Sequence, residues 1–335
     1  MIDASPDGRE EMNIDPAMDW IYQAAGFRQG SIRNLILTGG EPFWNMQNLS
    51  LISSYAEHSG LSVAAETNAF WASSQESAID TLQQLPALHS ISIGTDLYHQ
   101  QFIPFSYVQN ALWAAKELHR RATVELCTDD PDEEQFKMMI ETLLRQVDSP
   151  DDVGITQTYS VGRARRLKNK RIRSSDIPAV PPCSRFGDPV VLPDGRVMAC
   201  AGPLQLQAEE NPLFLGSLQE HSLEEILEGA EMNPVLHIIR IWGPEKLLSL
   251  IREYGFDAEL PKRQYTGSHC DNCYTLLQNV KVVGILKRIL EDQQLRHILA
   301  YARMHYLEEP SMIKNYRLNG SESIDLTSRA FFADW

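Results

Sequence analysis

The sequence predicts an α/β protein: a parallel sheet with crossover helices, then a small cysteine-bearing domain and terminal helices. Three observations carry this. Short apolar runs rich in β-branched residues recur roughly every thirty residues through the first half. Stretches with helical spacing of apolar residues lie between them. Four of the five cysteines then fall in the second half, at Cys183, Cys200, Cys270 and Cys273.

The strand-like runs occupy residues 35–38, 62–66, 90–93, 123–128 and 153–159. Helical spacing covers 47–58, 72–85, 107–120 and 133–147. This alternation makes βαβ crossovers, wound either as a barrel or as a doubly wound sheet. The strands are almost wholly apolar, as expected when helices cover one face and a packed interior the other. A helical stretch, 16–26, precedes the first recognisable strand, so the chain begins inside a repeat or carries an ordinary capping helix.

After residue 159 the period stops. A basic stretch (Arg163, Arg165, Arg166, Lys168, Lys170, Arg171, Arg173) runs into the Pro-rich 177–182, which reads as a linker. Asp194-Gly195, between 190–192 and 196–199, marks a hairpin. Further helices are predicted over 222–228, 233–254 and 277–306, and the irregular tail 308–335 ends Phe331-Phe332-Ala333-Asp334-Trp335.

The chain has 335 residues, 43% of them hydrophobic and 22% charged, enough for about two domains with substantial cores. The balance of 30 Lys+Arg against 45 Asp+Glu, net −15, argues against a general nucleic-acid or anionic-membrane binder, because phosphate binding needs excess positive charge. No run of apolar residues is long enough to span a bilayer, and the first residues lack the order of a signal peptide. The expectation is a soluble, cytoplasmic protein. Five cysteines are too few for a disulfide scaffold of this size, so clustering among them points to metal or catalysis.

Two groups of residues can carry chemistry. Cys183 and Cys200 bracket the Asp-Gly hairpin, which brings their sulfurs together, and Cys270-Asp271-Asn272-Cys273 presents two thiols from one turn. Four soft ligands suit tetrahedral zinc or a four-cysteine iron–sulfur cluster. His269 is a reserve ligand, and Cys127, inside a strand, reads as a small core residue. The second group is Thr38-Gly39-Gly40-Glu41-Pro42, where an apolar strand runs into bare backbone, a carboxylate and a proline. In α/β folds that strand-end rim binds ligands. His99, just past a later strand, either faces this rim or lies on the surface.

The Gly-Gly-Glu-Pro segment resembles the corresponding motif of radical S-adenosylmethionine enzymes. Glu66-Thr67-Asn68, Gly94-Thr95-Asp96-Leu97-Tyr98-His99 and Val161-Gly162-Arg163-Ala164 agree at the expected strand ends. The run from Cys183 through Pro193-Asp194-Gly195-Arg196-Val197 to Cys200, then Leu215-Gly216-Ser217-Leu218 and the C-x-x-C, resembles the family's shortened auxiliary domain of twitch/SPASM type. The likeness extends over about residues 1–280. It implies an open, partial (β/α)6 TIM-like barrel lacking its first strand (1–175), a small cysteine-liganded α+β auxiliary domain (176–280), and a C-terminal helix and tail (281–335).

The resemblance also implies roles. Gly39, Gly40, Glu41 and Pro42 would hold the methionine moiety of S-adenosylmethionine, with Thr67, Asn68, Thr95 and Asp96 on the same rim. Cys183, Cys200, Cys270 and Cys273 would ligate one auxiliary 4Fe-4S cluster, with zinc as the alternative. The complete protein would generate a 5′-deoxyadenosyl radical for hydrogen abstraction, with a peptide or small protein as substrate and flavodoxin or ferredoxin as electron donor. No nucleic acid or membrane partner is expected. The basic stretch is a solvated linker or steers an acidic peptide.

One departure stands against this. The family's C-x3-C-x2-C loop, which ligates the cluster that cleaves S-adenosylmethionine, is missing, since no cysteine precedes Cys127. The chain starts where relatives carry the segment after the third of those cysteines. The expectation is a start assigned to an internal methionine or a shortened chain, rather than loss of the cluster, because Gly-Gly-Glu-Pro is intact. That cluster is expected only with the missing segment restored, and the chain as it stands should be inactive. The competing class is a non-catalytic relative that binds a peptide or partner, with its cysteines around structural zinc or an iron–sulfur cluster. A compact α/β metal protein without S-adenosylmethionine is the third. Lacking a first strand, the sheet would leave an unpaired, association-prone edge along 35–38.

Overall fold

A computed structural model describes residues 11–158, 183, 186–202, 211–260 and 269–307. They fall into two compact units. The first takes residues 11–158, 191–196 and 216–226; the second takes the remainder. Residues 161–173, the linker 177–182 and the tail 308–335 lie outside the described residues.

In the first unit, α1 (Ile14–Gly26) precedes β1 (Asn34–Leu37). α2 (Met46–His58) leads to β2 (Ser62–Thr67), α3 (Gln75–Gln83) to β3 (Leu88–Thr95), α4 (Phe105–Glu117) to β4 (Arg121–Thr128), and α5 (Glu134–Leu144) to β5 (Val153–Gln157). The five strands are parallel and lie in the sequential order β1-β2-β3-β4-β5. A doubly wound sheet reverses its order at a switch point; no reversal occurs among the described strands. β1 is an edge, with Ile36 53% exposed.

Local chemistry sets the helix starts. α3 begins later than its apolar spacing suggests, because the Ser74 hydroxyl accepts from Ser77 N–H at 3.1 Å and Ser77 Oγ accepts from Ser74 N–H at 2.9 Å. That reciprocal capping box fixes the first turn. Asn45 likewise caps α2 through Asn48 N–H.

Strand alternation decides which face is buried. Leu37, Ala65, Ile91 and Ala122 align across the sheet, as do Thr67, Ile93, Val124 and Val153. These rows join Ala17, Ile21, Leu49, Leu82, Leu112, Phe136 and Leu143 of the helices in one hydrophobic core. The intervening rows do not enter it: Glu66–Ser92–Thr123, Gly94–Glu125–Gly154 and Cys127–Thr156. The expectation of strands apolar on both faces is therefore corrected. The core of this unit lies on one side of the sheet, so alternate rows enter it, although Ile36 and Ala64 keep apolar side chains in a row outside it. Cys127 belongs to the polar set and is half-buried, not a core residue.

β6 (Val190–Val191), β7 (Arg196–Met198) and β8 (Phe214–Ser217) form a three-stranded sheet in that order. Leu192 N–H donates to Arg196 O at 2.8 Å across the Asp-Gly turn. Gly195 there has φ +84°, a conformation that calls for glycine, and a Cβ would stand 3.3 Å from Trp20.

The helices that follow are α6 (Leu223–Glu231), α7 (Pro234–Trp242), α8 (Pro244–Glu253), α9 (His269–Leu277), α10 (Val280–Ile289) and α11 (Gln293–Tyr306). The single helix expected over 233–254 is two, broken where Gly243 (φ +83°) meets Pro244. The helix expected over 277–306 is also divided, because Asn279 and Asp292 side chains accept backbone N–H groups and start α10 and α11. The buried Arg303 donates from Nη1 to Glu231 O at 3.1 Å, and His237 Nε2 lies 2.9 Å from the same oxygen. The Arg303 guanidinium and the His237 imidazole thus satisfy a carbonyl at the end of α6.

Phe136, 1% exposed, anchors α5 in the core. Phe136→Ala should destabilise the protein by about 3–5 kcal/mol, the sum of lost burial and a cavity. Urea denaturation checks it, and a loss below about 1 kcal/mol would show that the site is loosely packed.

Candidate functional site

The carboxyl ends of the parallel strands gather polar groups. Thr38 follows β1, Thr67, Thr95 and Thr128 end β2, β3 and β4, and Thr158 follows β5. Such ends are where parallel α/β sheets leave backbone and side chains open to ligands. The turn Thr38-Gly39-Gly40 is exposed rather than plugged by side chains. Gly39 has φ +132°, a backbone that a side chain would strain.

Glu41 turns back from this loop towards the end of β2. Its Oε1 accepts from Thr67 Oγ1 at 2.8 Å and Phe43 N–H at 3.2 Å, and its Oε2 accepts from Asn68 N–H at 2.8 Å. Each carboxylate oxygen can take two donors, so Oε2 keeps room for one more. Burial is the main influence on this carboxyl and lifts its pKa above the usual value. The three hydrogen bonds and the nearby His99 pull the other way.

Thr67 is the hub of the next turn. Besides donating to Glu41, its hydroxyl accepts from Ala69 N–H at 3.1 Å and from Trp71 Nε1 at 2.9 Å. Ala69 is held at φ +64°. Trp71 stacks on Phe43, ring centroids 4.6 Å apart, so the loops after β1 and β2 lock together. Asn68 Oδ1 accepts from Phe70 N–H at 3.0 Å. Trp44, 72% exposed, tilts against Phe70 beside this turn.

After β3 the arrangement is similar. Asp96, 3% exposed, accepts from Tyr98 N–H and His99 N–H at 2.8 Å each, and His99 Nδ1 lies 2.9 Å from its other oxygen. Thr95 beside it is buried. Glu41, Thr67 and Asn68 thus form one bonded cluster, with His99 in electrostatic reach of Glu41; Asp96 and Thr67 are committed to holding the chain itself. Pro42 opens the 3-10 turn Pro42–Trp44.

The polar face of the sheet went unnoticed as a site. Thr38 Oγ1 donates to Glu66 Oε2 at 2.6 Å. One row nearer the strands' carboxyl ends, Glu125 lies over Gly154 so closely that a Cβ there would stand 2.5 Å from its carboxylate. The alternation in Ser90-Ile91-Ser92-Ile93-Gly94-Thr95 was the available signal, since strictly alternating polarity marks a half-buried strand.

In the second unit the four late cysteines converge. Cys270 and Cys273 sit three residues apart in the first turn of α9, hence on one helix face. Cys183, Cys200 and Cys270 all act electrostatically on Cys273, and Cys183 and Cys270 on Cys200. Burial, then these neighbours, pushes the Cys200 thiol up to about 12 and the Cys273 thiol well above its usual value. Among the described residues no three His, Cys, Asp or Glu side chains form a ready metal-binding group. The thiols therefore share a neighbourhood, not a preformed coordination sphere. His269 is engaged with a carboxylate: its Nδ1 lies 2.9 Å from both oxygens of Glu245.

No protein-family model matches the chain, and no curated protein is significantly similar to it. Among the described residues no helix is long and apolar enough to cross a membrane.

A carboxyl with a raised native pKa keeps its proton where the unfolded chain has lost it. Its contribution to stability is therefore full below the usual value of 4.5 and is lost as pH rises through the native value. Relative to Glu41→Gln, the wild-type protein should gain stability in urea denaturation as pH falls from neutrality towards 4.5. A relative loss over that range would show that the hydrogen bonds outweigh burial.

Proposed function

We propose that this chain is a radical S-adenosylmethionine-type protein in which the five-stranded sheet belongs to an open (β/α) barrel. The strand-end rim at Gly39, Gly40, Glu41, Pro42, Thr67, Asn68, Thr95 and Asp96 takes the S-adenosylmethionine. Cys183, Cys200, Cys270 and Cys273 take one auxiliary 4Fe-4S cluster. A peptide is the favoured substrate class, with a flavodoxin- or ferredoxin-like protein as electron donor.

The single observation that carries the reading is the convergence of four thiols contributed by distant stretches of chain. As a donor set they fit iron–sulfur or zinc in kind, all soft sulfur. Held within electrostatic reach without a cation, their thiolates would repel one another; ligation requires deprotonation, which a bound cation favours. The sequential strand order, with its core on one side only, supports a barrel-type winding whose inner face is polar.

On the rim, the free lone pair of Glu41 Oε2 suits an ammonium group, and the exposed Gly39-Gly40 backbone offers further acceptors. An ammonium beside Glu41 would favour its ionised form against the burial that opposes it. His99, oriented by Asp96, presents its imidazole within electrostatic reach of that carboxylate. The radical chemistry would come from S-adenosylmethionine and a reduced cluster held by a C-x3-C-x2-C loop, which this sequence lacks; this chain's own residues bind, orient and shield.

A second reading is favoured by one specific observation: Thr67 and Asp96 are already committed to chain-internal hydrogen bonds. A non-catalytic relative, binding a peptide or partner around a structural zinc, would look the same there. Metal analysis and calorimetry separate the two. Anaerobically reconstituted protein should hold about four irons per chain, lose them in Cys273→Ser, and bind S-adenosylmethionine in a manner abolished by Glu41→Ala. Zinc without iron, and no heat of binding with S-adenosylmethionine, would establish the binding module instead.

A further inference from the structure

α8 carries a carboxylate in an unusual place. Glu245, the second residue of that helix, is 4% exposed, and among the described residues no lysine or arginine pairs with it. Its partners are two side chains of α9. Asn272 Nδ2 donates to Oε1 at 2.8 Å, and His269 Nδ1 stands 2.9 Å from each oxygen. Asn272 is itself 2% exposed.

Burying a carboxylate between two helices is unfavourable, and an apolar side chain would pack α8 against α9 without that penalty. What a carboxylate adds is direction. At about 100° per residue, His269 and Asn272 share one face of α9, and Cys270 and Cys273 share the adjacent face. Gripping the first pair from α8 fixes the rotation of the first turn, and with it the aim of both thiols. The grip is two-pronged, so rotation about either single bond is blocked. The start of α8 also favours the negative charge.

We propose that Glu245 is the positioning residue of the four-cysteine centre, clamping His269 and Asn272 so that Cys270 and Cys273 point towards Cys183 and Cys200. This rests on reading the four cysteines as a metal site. In metal sites, groups outside the ligand set that fix the ligands' orientation affect metal affinity strongly.

Cobalt(II) is a direct probe, because thiolate coordination gives it intense charge-transfer bands and tetrahedral d–d bands. The full chain, freed of metal under anaerobic reducing conditions, is titrated with cobalt(II) against a competing chelator. Glu245→Ala should bind about 10- to 100-fold more weakly, with altered d–d bands. Glu245→Gln, which keeps the volume and one acceptor, should retain the wild-type fold by circular dichroism and recover part of the affinity. If Glu245→Ala fails to fold, Glu245→Gln alone decides, by whether its affinity and d–d bands depart from wild type. Folded variants with wild-type affinity and bands would overturn the proposal. A wild-type protein with no thiolate–cobalt band would overturn the four-cysteine reading itself, before any Glu245 variant is made.

Discussion

The first unit depends on burial of a parallel sheet from one side. Strand alternation sends Val63, Ala65, Ile91, Ile93, Val124 and Leu126 into a core shared with five helices, and leaves Glu66, Ser92, Thr123, Glu125 and Thr156 on the other face. A parallel sheet normally covers both faces with apolar packing. Here the second face keeps carboxylates, hydroxyls and glycines, which an apolar layer would leave unsatisfied. The polar face and the polar strand ends are two consequences of the same arrangement.

The strand-end rim shows how closely stability and binding are interwoven. Thr67 Oγ1 makes three hydrogen bonds, two to its own turn and one to Glu41. It holds Ala69 in a left-handed conformation and the Trp71 ring against Phe43. Such strain persists only where surroundings over-determine it. Glu41 is consequently held in place before any ligand arrives, and preorganisation lowers the entropy lost on binding.

The thiol region of the second unit is governed by charge. Cys183, Cys200 and Cys270 lie within electrostatic reach of Cys273, and burial disfavours ionisation of Cys200 and Cys273. Glu245 adds a further negative group beside them, balanced by His269 and Asn272 and the start of α8. A bound cation would invert these local electrostatics.

Much of the fold was legible along the chain. The five strands, the helices between them, the helix ahead of the first strand and the Asp194-Gly195 turn follow from periodicity and turn chemistry, which are local. Helix breaks were less legible. Gly243-Pro244, Asn279 and Asp292 interrupt otherwise continuous apolar spacing, and apolar period alone does not register a cap. In the candidate site, the Gly39-Gly40-Glu41 turn and the four cysteines stood out because residue type and spacing announce them. Glu125, Glu245 and Asn272 did not, since a lone carboxylate or amide reads as surface until its burial is known.

By itself, then, the amino-acid order determined the parallel α/β succession and which residue types are available for ligand chemistry. Tertiary structure alone decided that only one side of the sheet carries the core, that Glu41 bonds to Thr67 and Asn68, and that Glu245 meets His269 and Asn272. The physical reason is range. Periodicity and capping act within a few residues, whereas burial and hydrogen bonding join positions such as Glu245 and Asn272, whose approach depends on how whole helices pack.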